Sequence, residues 1–352
     1  MQINDLDTPA VLIDIDRVEA NLARAQAYAN AHGLRLRPHI KTHKLPRFAK
    51  RALDLGAIGI TCQKVGEAEV MADAGITDIF LPYNILGAAK LERLAALHKR
   101  INVSVSADSL TTIAGYAAAF ADAAHPLPVL VECDTGAGRC GVQTTGQAVV
   151  LALAIAAAPG LQFEGLMTYP PRHKMAEVDA WLKAALAALA AVGLKANRVS
   201  NGGTPDLYAC AAVTSATEHR PGTYIYSDRM QVSFGLGTLD DCALTVLSTV
   251  VSRPTTDRVV LDAGSKALAA DLAPVPGHGH ILGYPGAVIK VLSEEHATAD
   301  FSACATRPAI GEKLRIIPNH ACVVSNLYDS IHLIRGDEVV ERVTVAARGK
   351  LS

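Results

Sequence analysis

The sequence lacks paired cysteines. Its seven Cys residues are an odd number, are scattered through 352 residues and form no CxxC pair. A disulfide framework is therefore not expected, and a reducing cytoplasm is the expected location. The chain also lacks a basic-plus-apolar leader and any apolar run near the length of a membrane span. We therefore expect neither a secretory signal nor a transmembrane helix.

An excess of charge of either sign is also missing. The formal net charge is −1, from 33 Lys and Arg against 34 Asp and Glu. Nucleic acids and anionic membranes attract strongly basic surfaces, so the composition gives no reason to expect either as a partner. Hydrophobic residues make up 50% of the chain and charged residues only 19%, which allows a sizeable core. The length suits two domains, or one large α/β domain with an attachment.

A GxGxxG motif after an early strand is absent, which disfavours a doubly wound nucleotide-binding sheet. Residues 17–234 instead alternate between short β-rich runs and Ala- and Leu-rich stretches with helical spacing. This alternation predicts an α/β fold with a closed parallel (β/α)8 TIM-like barrel, with the open sheet as the alternative. The eight predicted strands are LRLRPHI, AIGITC, DIFLPY, INVSVS, LPVLVE, FEGLMTY, NRVS and GTYIYS.

The pattern changes after Gly235, where strand-like runs are separated by turn residues and carry almost no helix signal. We therefore predict a C-terminal all-β domain over residues 235–352, to which the N-terminal strand within residues 1–16 would be added. The predicted domains are thus a barrel of residues 17–234 and a β domain of residues 235–352 with residues 1–16.

Polar or glycine-rich residues follow nearly every predicted barrel strand. Barrel enzymes place their chemistry on the loops after the carboxyl ends of the strands, so these residues are expected at one mouth. In chain order they are Lys41, Gln63, Asn84, Asp134, Arg139, Tyr169, Ser200, Gly202, Gly203, Thr204, Arg220, Gly222, Thr223 and Tyr224.

Two of these loops, SNGGT and RPGTY, lie after the seventh strand and around the eighth. Barrels often bind a phosphate there through backbone N–H groups, although tight turns are the simpler explanation of a glycine pair alone. Lys41, at the end of the first strand, is placed to form a Schiff base with a phosphorylated aldehyde, pyridoxal 5'-phosphate. We expect His39 and Arg37 to lower the pKa of Lys41 by like charge, and Lys44 to be solvated. A plain surface lysine is the alternative for Lys41.

His320 and Cys322, in the segment PNHAC, are two residues apart on a predicted strand, so both side chains would point to one face. His and Cys suit a zinc-like ion, and water and a substrate could complete the coordination. A buried cysteine beside a polar histidine is the alternative.

Six segments, in this order over nearly the whole chain, resemble the D-threonine aldolase and D-serine dehydratase family of pyridoxal-phosphate enzymes with the alanine racemase type of fold. They are PHIKTHK, CQKVGEAEV, VECDTGAGRCGV, SNGGTP, LDAGSK and PNHACVVSNLYD. The resemblance implies a barrel plus β domain and a homodimer with active sites near the subunit interface. It also implies Lys41 as the Schiff-base lysine and a divalent metal (Zn, Mn or Mg) at His320 and Cys322. SNGGT and GTY would hold the phosphate, while Arg139 and Tyr169 would lie by the cofactor ring.

The chain also departs from this family. In the aldolases of this family the two metal ligands form a His-x-Asp pair. The His-x-Cys pair of this chain, His320 and Cys322, resembles the D-serine dehydratase branch instead. In TYPPRHK, Tyr169 remains and His173 is the only candidate base. Arg220 resembles the alanine racemase arginine that bonds the pyridine nitrogen, which would weaken the electron sink.

From these observations we expect a lyase that cleaves D-3-hydroxy amino acids to glycine and an aldehyde. Dehydration to a keto acid and ammonia is the alternative. An amino-acid racemase comes third, since it needs a second base such as Tyr284 or Tyr328 from a partner subunit. A non-enzymatic cofactor carrier is less favoured because such carriers lack a β domain. A phosphate-binding sugar enzyme on a plain barrel is a further alternative, and it predicts no cofactor absorbance.

Overall fold

The computed structural model describes all of residues 1–352. The strands are β1 (Ala10–Asp14), β2 (Ile60–Thr61), β3 (Asp78–Leu81), β4 (Asn102–Ala107), β5 (Leu127–Cys133), β6 (Leu161–Thr168), β7 (Arg198–Asn201), β8 (Glu218–His219), β9 (Leu244–Ser252), β10 (Arg258–Leu261), β11 (Gly279–Ile281), β12 (Val288–Leu292), β13 (Ala297–Asp300), β14 (Lys313–Pro318), β15 (Ser330–Arg335) and β16 (Glu338–Thr344). The helices are α1 (Ile15–Ala31), α2 (Pro46–Asp54), α3 (Val65–Asp73), α4 (Ala88–His98), α5 (Leu110–Phe120), α6 (Thr145–Ala157), α7 (Met175–Ala191), α8 (Arg229–Ser233), α9 (Ser265–Leu268) and α10 (Ala321–Leu327). None of them combines the length and hydrophobicity needed to cross a membrane.

The chain divides into two compact units. We call the first the β unit; it comprises Met1–Arg24, Thr42–Lys44 and Thr223–Gly349. We call the second the barrel unit; it comprises Ala25–Lys41, Leu45–Gly222 and Lys350–Ser352.

The barrel unit is built on a parallel sheet in which β2 to β8 follow one another in chain order. Isolated parallel bridges from Leu36 to His219 and from His39 to Thr61 place residues 36–39 between β8 and β2, which closes the ring. This segment forms bridges and no full ladder, since Pro38 has no N–H to donate. Consecutive buried residues such as Val129 and Leu130 in β5 are typical of a parallel sheet covered on both faces.

The β unit contains a mostly antiparallel sheet with the strand order β12-β13-β10-β9-β1-β15-β16, and β14 pairs with both β9 and β11. Strand β1 lies antiparallel to β9 and parallel to β15. The predicted fold class, an alanine-racemase-type barrel plus an all-β domain, is confirmed by these two sheets.

Two of the local predictions are wrong. The eighth barrel strand is Glu218–His219, and the predicted strand GTYIYS contains a 3-10 helix at Thr223–Ile225. The Tyr226 and Ser227 N–H groups both donate to the Thr223 carbonyl, which bends the segment into a turn. The segment PNHAC is not a strand either, since β14 ends at Pro318 and His320 caps helix α10.

Candidate functional site

Lys41 lies in the barrel unit on a short 3-10 turn, Ile40–Thr42, directly after the segment that closes the barrel. Its backbone N–H donates to Nδ1 of His39 at 3.3 Å, and the other ring nitrogen of His39 lies 3.1 Å from Oε1 of Gln63. An imidazole that accepts at Nδ1 and donates at Nε2 is neutral. His39 and Gln63 therefore orient the turn that presents Lys41, and His39 adds no positive charge beside it.

Arg37 and Lys44, the predicted basic neighbours of Lys41, are both buried, so the prediction that Lys44 is solvated is wrong. Arg37 is buried and forms ion pairs with Glu218, at 3.0 Å, and with Asp78. Its positive charge is thus balanced by these two carboxylates. Lys44 is 4% exposed, and its Nζ donates to the Ala347 carbonyl at 3.3 Å within the β unit, so it is not solvated.

The SNGGT loop follows strand β7, and its two glycines pack against neighbouring side chains. An added Cβ on Gly202 would lie 2.8 Å from Nη2 of Arg220, and Gly203 adopts a φ of +134° that favours glycine. The Gly222 N–H donates to Oγ1 of Thr204 at 3.0 Å, which ties the two predicted phosphate loops together. Glycine at these positions lets the backbone approach a bound group closely.

Asn201 lies in the predicted SNGGT loop but was not itself predicted as a site residue. It is fully buried, and neither its amide nitrogen nor its amide oxygen has a hydrogen-bond partner. A buried amide that is left unpaired is costly, so it indicates a group still to be bound. Its position between Ser200 and Gly202 in the loop was the available signal.

Arg220 is buried in the barrel unit, and its guanidinium is held in place on several sides. It donates to Oγ of Ser200 at 2.6 Å and to the Thr168 carbonyl at 2.9 Å, and it lies over the ring of Phe80. Burial lowers the pKa of Arg220 to about 10, even though the nearby carboxylates Glu218 and Glu132 oppose this shift. The residue is thus a rigid donor group at the carboxyl ends of the strands.

Tyr169, Arg139 and His173 lie on the loops after β5 and β6. The guanidinium of Arg139 stacks 4.6 Å from the centroid of the Tyr169 ring. His173 has a side chain that is 68% exposed, and its Nδ1 lies 3.5 Å from Oδ1 of Asp206. Tyr169 and Arg139 are therefore in contact, as predicted residues beside the ring would be, whereas the side chain of His173 lies exposed on its loop.

The barrel unit fits pyridoxal 5'-phosphate in its donor chemistry. It provides a partly exposed lysine, two adjacent glycines in the SNGGT loop, a buried Asn amide with no partner and a fixed arginine. Such a set suits a phosphorylated aldehyde with a polar ring.

Four of the predicted residues, Thr223, Tyr224, His320 and Cys322, belong to the β unit. Thr223 and Tyr224 are buried in the 3-10 helix after Gly222, and their role toward the cofactor stays a prediction. The Sγ atom of Cys322 lies 3.0 Å from Oγ1 of Thr42 and 3.5 Å from Oγ1 of Thr223.

His320 and Cys322 are brought together at the start of helix α10. Nδ1 of His320 lies 2.8 Å from Oδ2 of the fully buried Asp228, and the imidazole also hydrogen-bonds the Cys322 thiol. Burial alone would lower the pKa of His320, but Asp228 and Cys322 outweigh burial and raise that pKa to about 11. Because Asp228 and Cys322 stabilise positive charge on His320, the same groups would stabilise a metal cation bound there.

The donor set here fits a metal that is only partly ligated by protein. No group of three or more His, Cys, Asp or Glu side chains is arranged to hold an ion. Oδ2 of Asp228 hydrogen-bonds Nδ1 of His320 and accepts the Ala321 N–H. Asp228 therefore supports the metal-binding histidine and is not itself a metal ligand. Two ligands, His and Cys, are one fewer than catalytic zinc sites usually take from the protein, so water and a substrate would have to complete the coordination.

The model of the alanine racemase N-terminal domain matches residues 13–230, and that of the serine dehydratase domain matches residues 243–334. The chain belongs to the alanine racemase-type family. The predicted resemblance is confirmed, and it extends over the whole chain.

Several members of this family are similar along their full length. The D-threonine aldolase of an Arthrobacter species is 37% identical over 98% of this chain and 93% of its own. The D-threo-3-hydroxyaspartate dehydratase of a Delftia species is 31% identical over 96% of each chain. The crystal structure of D-threonine aldolase from Filomicrobium marinum superposes with a TM-score of 0.91, at 34% identity over 99% of this chain and 98% of that one. A D-threo-3-hydroxyaspartate dehydratase variant, described in its metal-free form, superposes with a TM-score of 0.88 at 28% identity over 98% of each chain.

Proposed function

We propose that the protein is a pyridoxal 5'-phosphate- and divalent-metal-dependent lyase that cleaves D-3-hydroxy amino acids to glycine and an aldehyde. The lyase class is confirmed, because the full-length relatives are aldolases and a dehydratase. The observation that carries the aldolase assignment is the 37% identity to D-threonine aldolase over 98% of the chain.

Lys41 would hold the cofactor covalently, and the SNGGT loop with Gly222 would hold its phosphate. The neutral His39 and Gln63 fix the turn that presents Lys41, and the bonds of Arg220 to Ser200 and Thr168 fix a donor for the ring. Arg139 and Tyr169 would cover one side of the ring as a stacked pair. When bound, the pyridoxal ring supplies an electron sink at Cα.

His320 and Cys322 would hold a Zn, Mn or Mg ion, with zinc favoured by the Cys ligand. The metal-free form described for one structural neighbour supports a metal in this family. When bound, the ion supplies a Lewis acid for the substrate hydroxyl. Asp228 would keep the proton on Nδ1 of His320, so that Nε2 is the nitrogen that gives up its proton to bind the ion.

Cleavage needs a base that takes the proton of the substrate's β-hydroxyl group, and a proton that is then delivered to Cα. We assign the first role to His173, since it is the only histidine on the loop after β6 and Asp206 lies beside its Nδ1. The Tyr169 ring, packed near Gly203, would position the substrate.

Dehydration is the second candidate function. It is favoured by one observation, Cys322 in place of an acidic ligand, and by the Delftia dehydratase among the relatives. In that reaction Lys41 would remove the α-proton, and the hydroxide would leave from Cβ. A racemase remains third: burial and the bond to Glu312 raise the pKa of Tyr284, which is the wrong direction for a base.

We further propose a homodimer in the cytoplasm, with a barrel domain of residues 17–234 and a β domain of residues 235–352 that includes residues 1–16. Seven free cysteines support a reducing compartment.

A product assay tests the proposed function. The protein, loaded with pyridoxal phosphate and Zn or Mn, is given D-threonine and D-threo-3-hydroxyaspartate, with the L-threonine isomer as the control. Glycine and an aldehyde in equal amounts are expected from the D substrates. Ammonia and a keto acid would instead establish the dehydratase, and no product from any substrate would refute a lyase.

A further inference from the structure

Glu218, in β8, has a carboxylate that is fully buried in the barrel unit. Its Oε2 atom accepts a hydrogen bond from Nε of Arg37 at 3.0 Å. Its Oε1 atom accepts a hydrogen bond from the hydroxyl of Ser200, in β7. Burial alone would raise the pKa of Glu218, but Arg37 and Arg198 outweigh burial and lower that pKa. The carboxylate is therefore ionised at pH 7.

Ser200 links this carboxylate to Arg220. Nη1 of Arg220 donates to Oγ of Ser200 at 2.6 Å. An ionised carboxylate can only accept hydrogen bonds, and a guanidinium can only donate them. The single hydrogen of the Ser200 hydroxyl must therefore point to Glu218, and a lone pair on Oγ must face Arg220. The negative charge of Glu218 thus determines the direction of the hydroxyl.

The guanidinium of Arg220 is fixed by this link and by one backbone group. Its Nη2 atom donates to the Thr168 carbonyl at 2.9 Å, while Nη1 is bonded to Ser200. Neither bond uses Nε, so the N–H at that atom stays available to a bound ring. Burial lowers the pKa of Arg220 to about 10, and Glu218 is the carboxylate that opposes this shift most. Glu218 therefore supports Arg220 by its charge as well as through Ser200.

We infer that Glu218 is a positioning residue for the cofactor: through Ser200 it holds the guanidinium of Arg220 in the orientation that donates to the ring nitrogen of pyridoxal 5'-phosphate. The inference rests on the proposed function, which places Arg220 beside that ring. A purely structural role is the competing explanation, because Glu218 also pairs with Arg37. The two explanations differ in one respect, since only a positioning role concerns the ring nitrogen in particular.

Replacing Glu218 by Gln should reverse the hydrogen bond at Ser200. Nε of Arg37 needs an acceptor, so the amide oxygen would take the place of Oε2 and the amide NH2 would face Ser200. Oγ of Ser200 would then lie between two donors, and its own hydrogen could point to neither of them. We expect the guanidinium of Arg220 to lose its fixed orientation in this variant.

Competition between two ligands tests the inference. Equilibrium dialysis measures the ratio of the Kd values for pyridoxal 5'-phosphate and for its deaza analogue, in which a C–H group replaces the ring nitrogen. The parent protein should prefer pyridoxal phosphate about tenfold or more, because the analogue leaves the Arg220 donor without an acceptor. Glu218→Gln should reduce this preference to within about twofold of equal binding.

A second variant and a control complete the comparison. Ser200→Ala removes the hydroxyl but keeps the ion pair of Glu218 with Arg37, so it tests the inference even where Glu218→Gln does not fold. It should reduce the preference in the same way. Asp179→Asn is the control, since Asp179 is another buried carboxylate of the barrel unit and bonds Lys183 and Ser215 instead. This variant should lose stability and keep the preference of the parent protein.

The outcomes separate positioning from structure. Equal weakening of both ligands marks a structural role, so the inference is overturned if either folded variant keeps the preference of the parent protein. It is also overturned if the parent protein binds the two ligands equally, because Arg220 then does not serve the ring nitrogen. A parent protein that binds neither ligand would refute the proposed function and the inference with it.

Discussion

Asp228 fixes the imidazole of His320: its Oδ2 lies 2.8 Å from Nδ1 of the histidine and also accepts the Ala321 N–H at 3.0 Å. The carboxylate thereby sets both the tautomer of His320 and the start of helix α10. This is the usual arrangement behind a metal-binding histidine.

Replacing Asp228 by Asn should weaken metal binding without unfolding the protein. Asn keeps the oxygen that caps α8 through the Gln231 N–H but loses the negative charge behind His320. We expect about 10–100-fold weaker metal affinity. Competition with a chelator, followed by metal analysis, measures this directly. The exposed Asp240→Asn is the control, and equal affinities in the two variants would contradict the assigned role of Asp228.

Gly202→Ala should disturb Arg220. The new Cβ would lie 2.8 Å from Nη2 and 2.9 Å from Cζ of a guanidinium that is held by Ser200 and Thr168. Overpacking of this kind costs about 1–3 kcal/mol, and we also expect weaker retention of the cofactor. Urea unfolding and cofactor absorbance after dialysis measure the two effects. The helical Gly146→Ala, whose Cβ would contact nothing nearer than 3.9 Å, should be neutral or slightly stabilising. The same behaviour from both variants would rule out the close approach at Gly202.

Asp179 should contribute stability that depends on pH. Burial raises its pKa, but Lys183 and the bonds from Ser215 and Thr214 outweigh burial and lower that pKa to about 2. A carboxyl whose pKa is lower in the folded than in the unfolded chain stabilises the fold above the unfolded value of about 4, and this contribution is lost as pH falls toward 2.

Asp179→Asn should therefore be less stable than the parent protein by on the order of 1 kcal/mol at pH 7. The difference should shrink by pH 3, as measured by urea unfolding at both pH values. An equally large difference at pH 3 would show that the ionised carboxylate is not the source of the stability.

The sequence predicted the fold well because a parallel barrel leaves a strong pattern. Buried strands such as β5 are continuous apolar runs, and helices such as α6 begin at a polar cap, where Oγ1 of Thr144 accepts the Gln147 N–H. The segment GTYIYS has strand-forming residues, yet hydrogen bonds back to Thr223 turn it into a 3-10 helix. In this segment the tertiary structure overrides the intrinsic strand propensity of the residues.

The side-chain partners were harder to predict than the elements. Arg37 and Lys44 look like members of one basic cluster in RPHIKTHK, but the fold pairs Arg37 with Glu218 and buries Lys44 against Ala347. Those partners are about 180 and 300 residues away in the sequence, beyond the reach of local pattern. Within SNGGT, the sequence did not single out Asn201, because only the three-dimensional structure shows that its buried amide has no partner.

The central claim is that Lys41 carries the cofactor. Borohydride reduction of the pyridoxal-phosphate-loaded protein, followed by peptide mass mapping, tests it most directly, because reduction fixes the pyridoxyl group on whichever lysine holds it. The account predicts the added mass on the peptide containing Lys41, and loss of both this label and the cofactor absorbance in Lys41→Ala. A label on another lysine, or a label that persists in Lys41→Ala, would contradict the account.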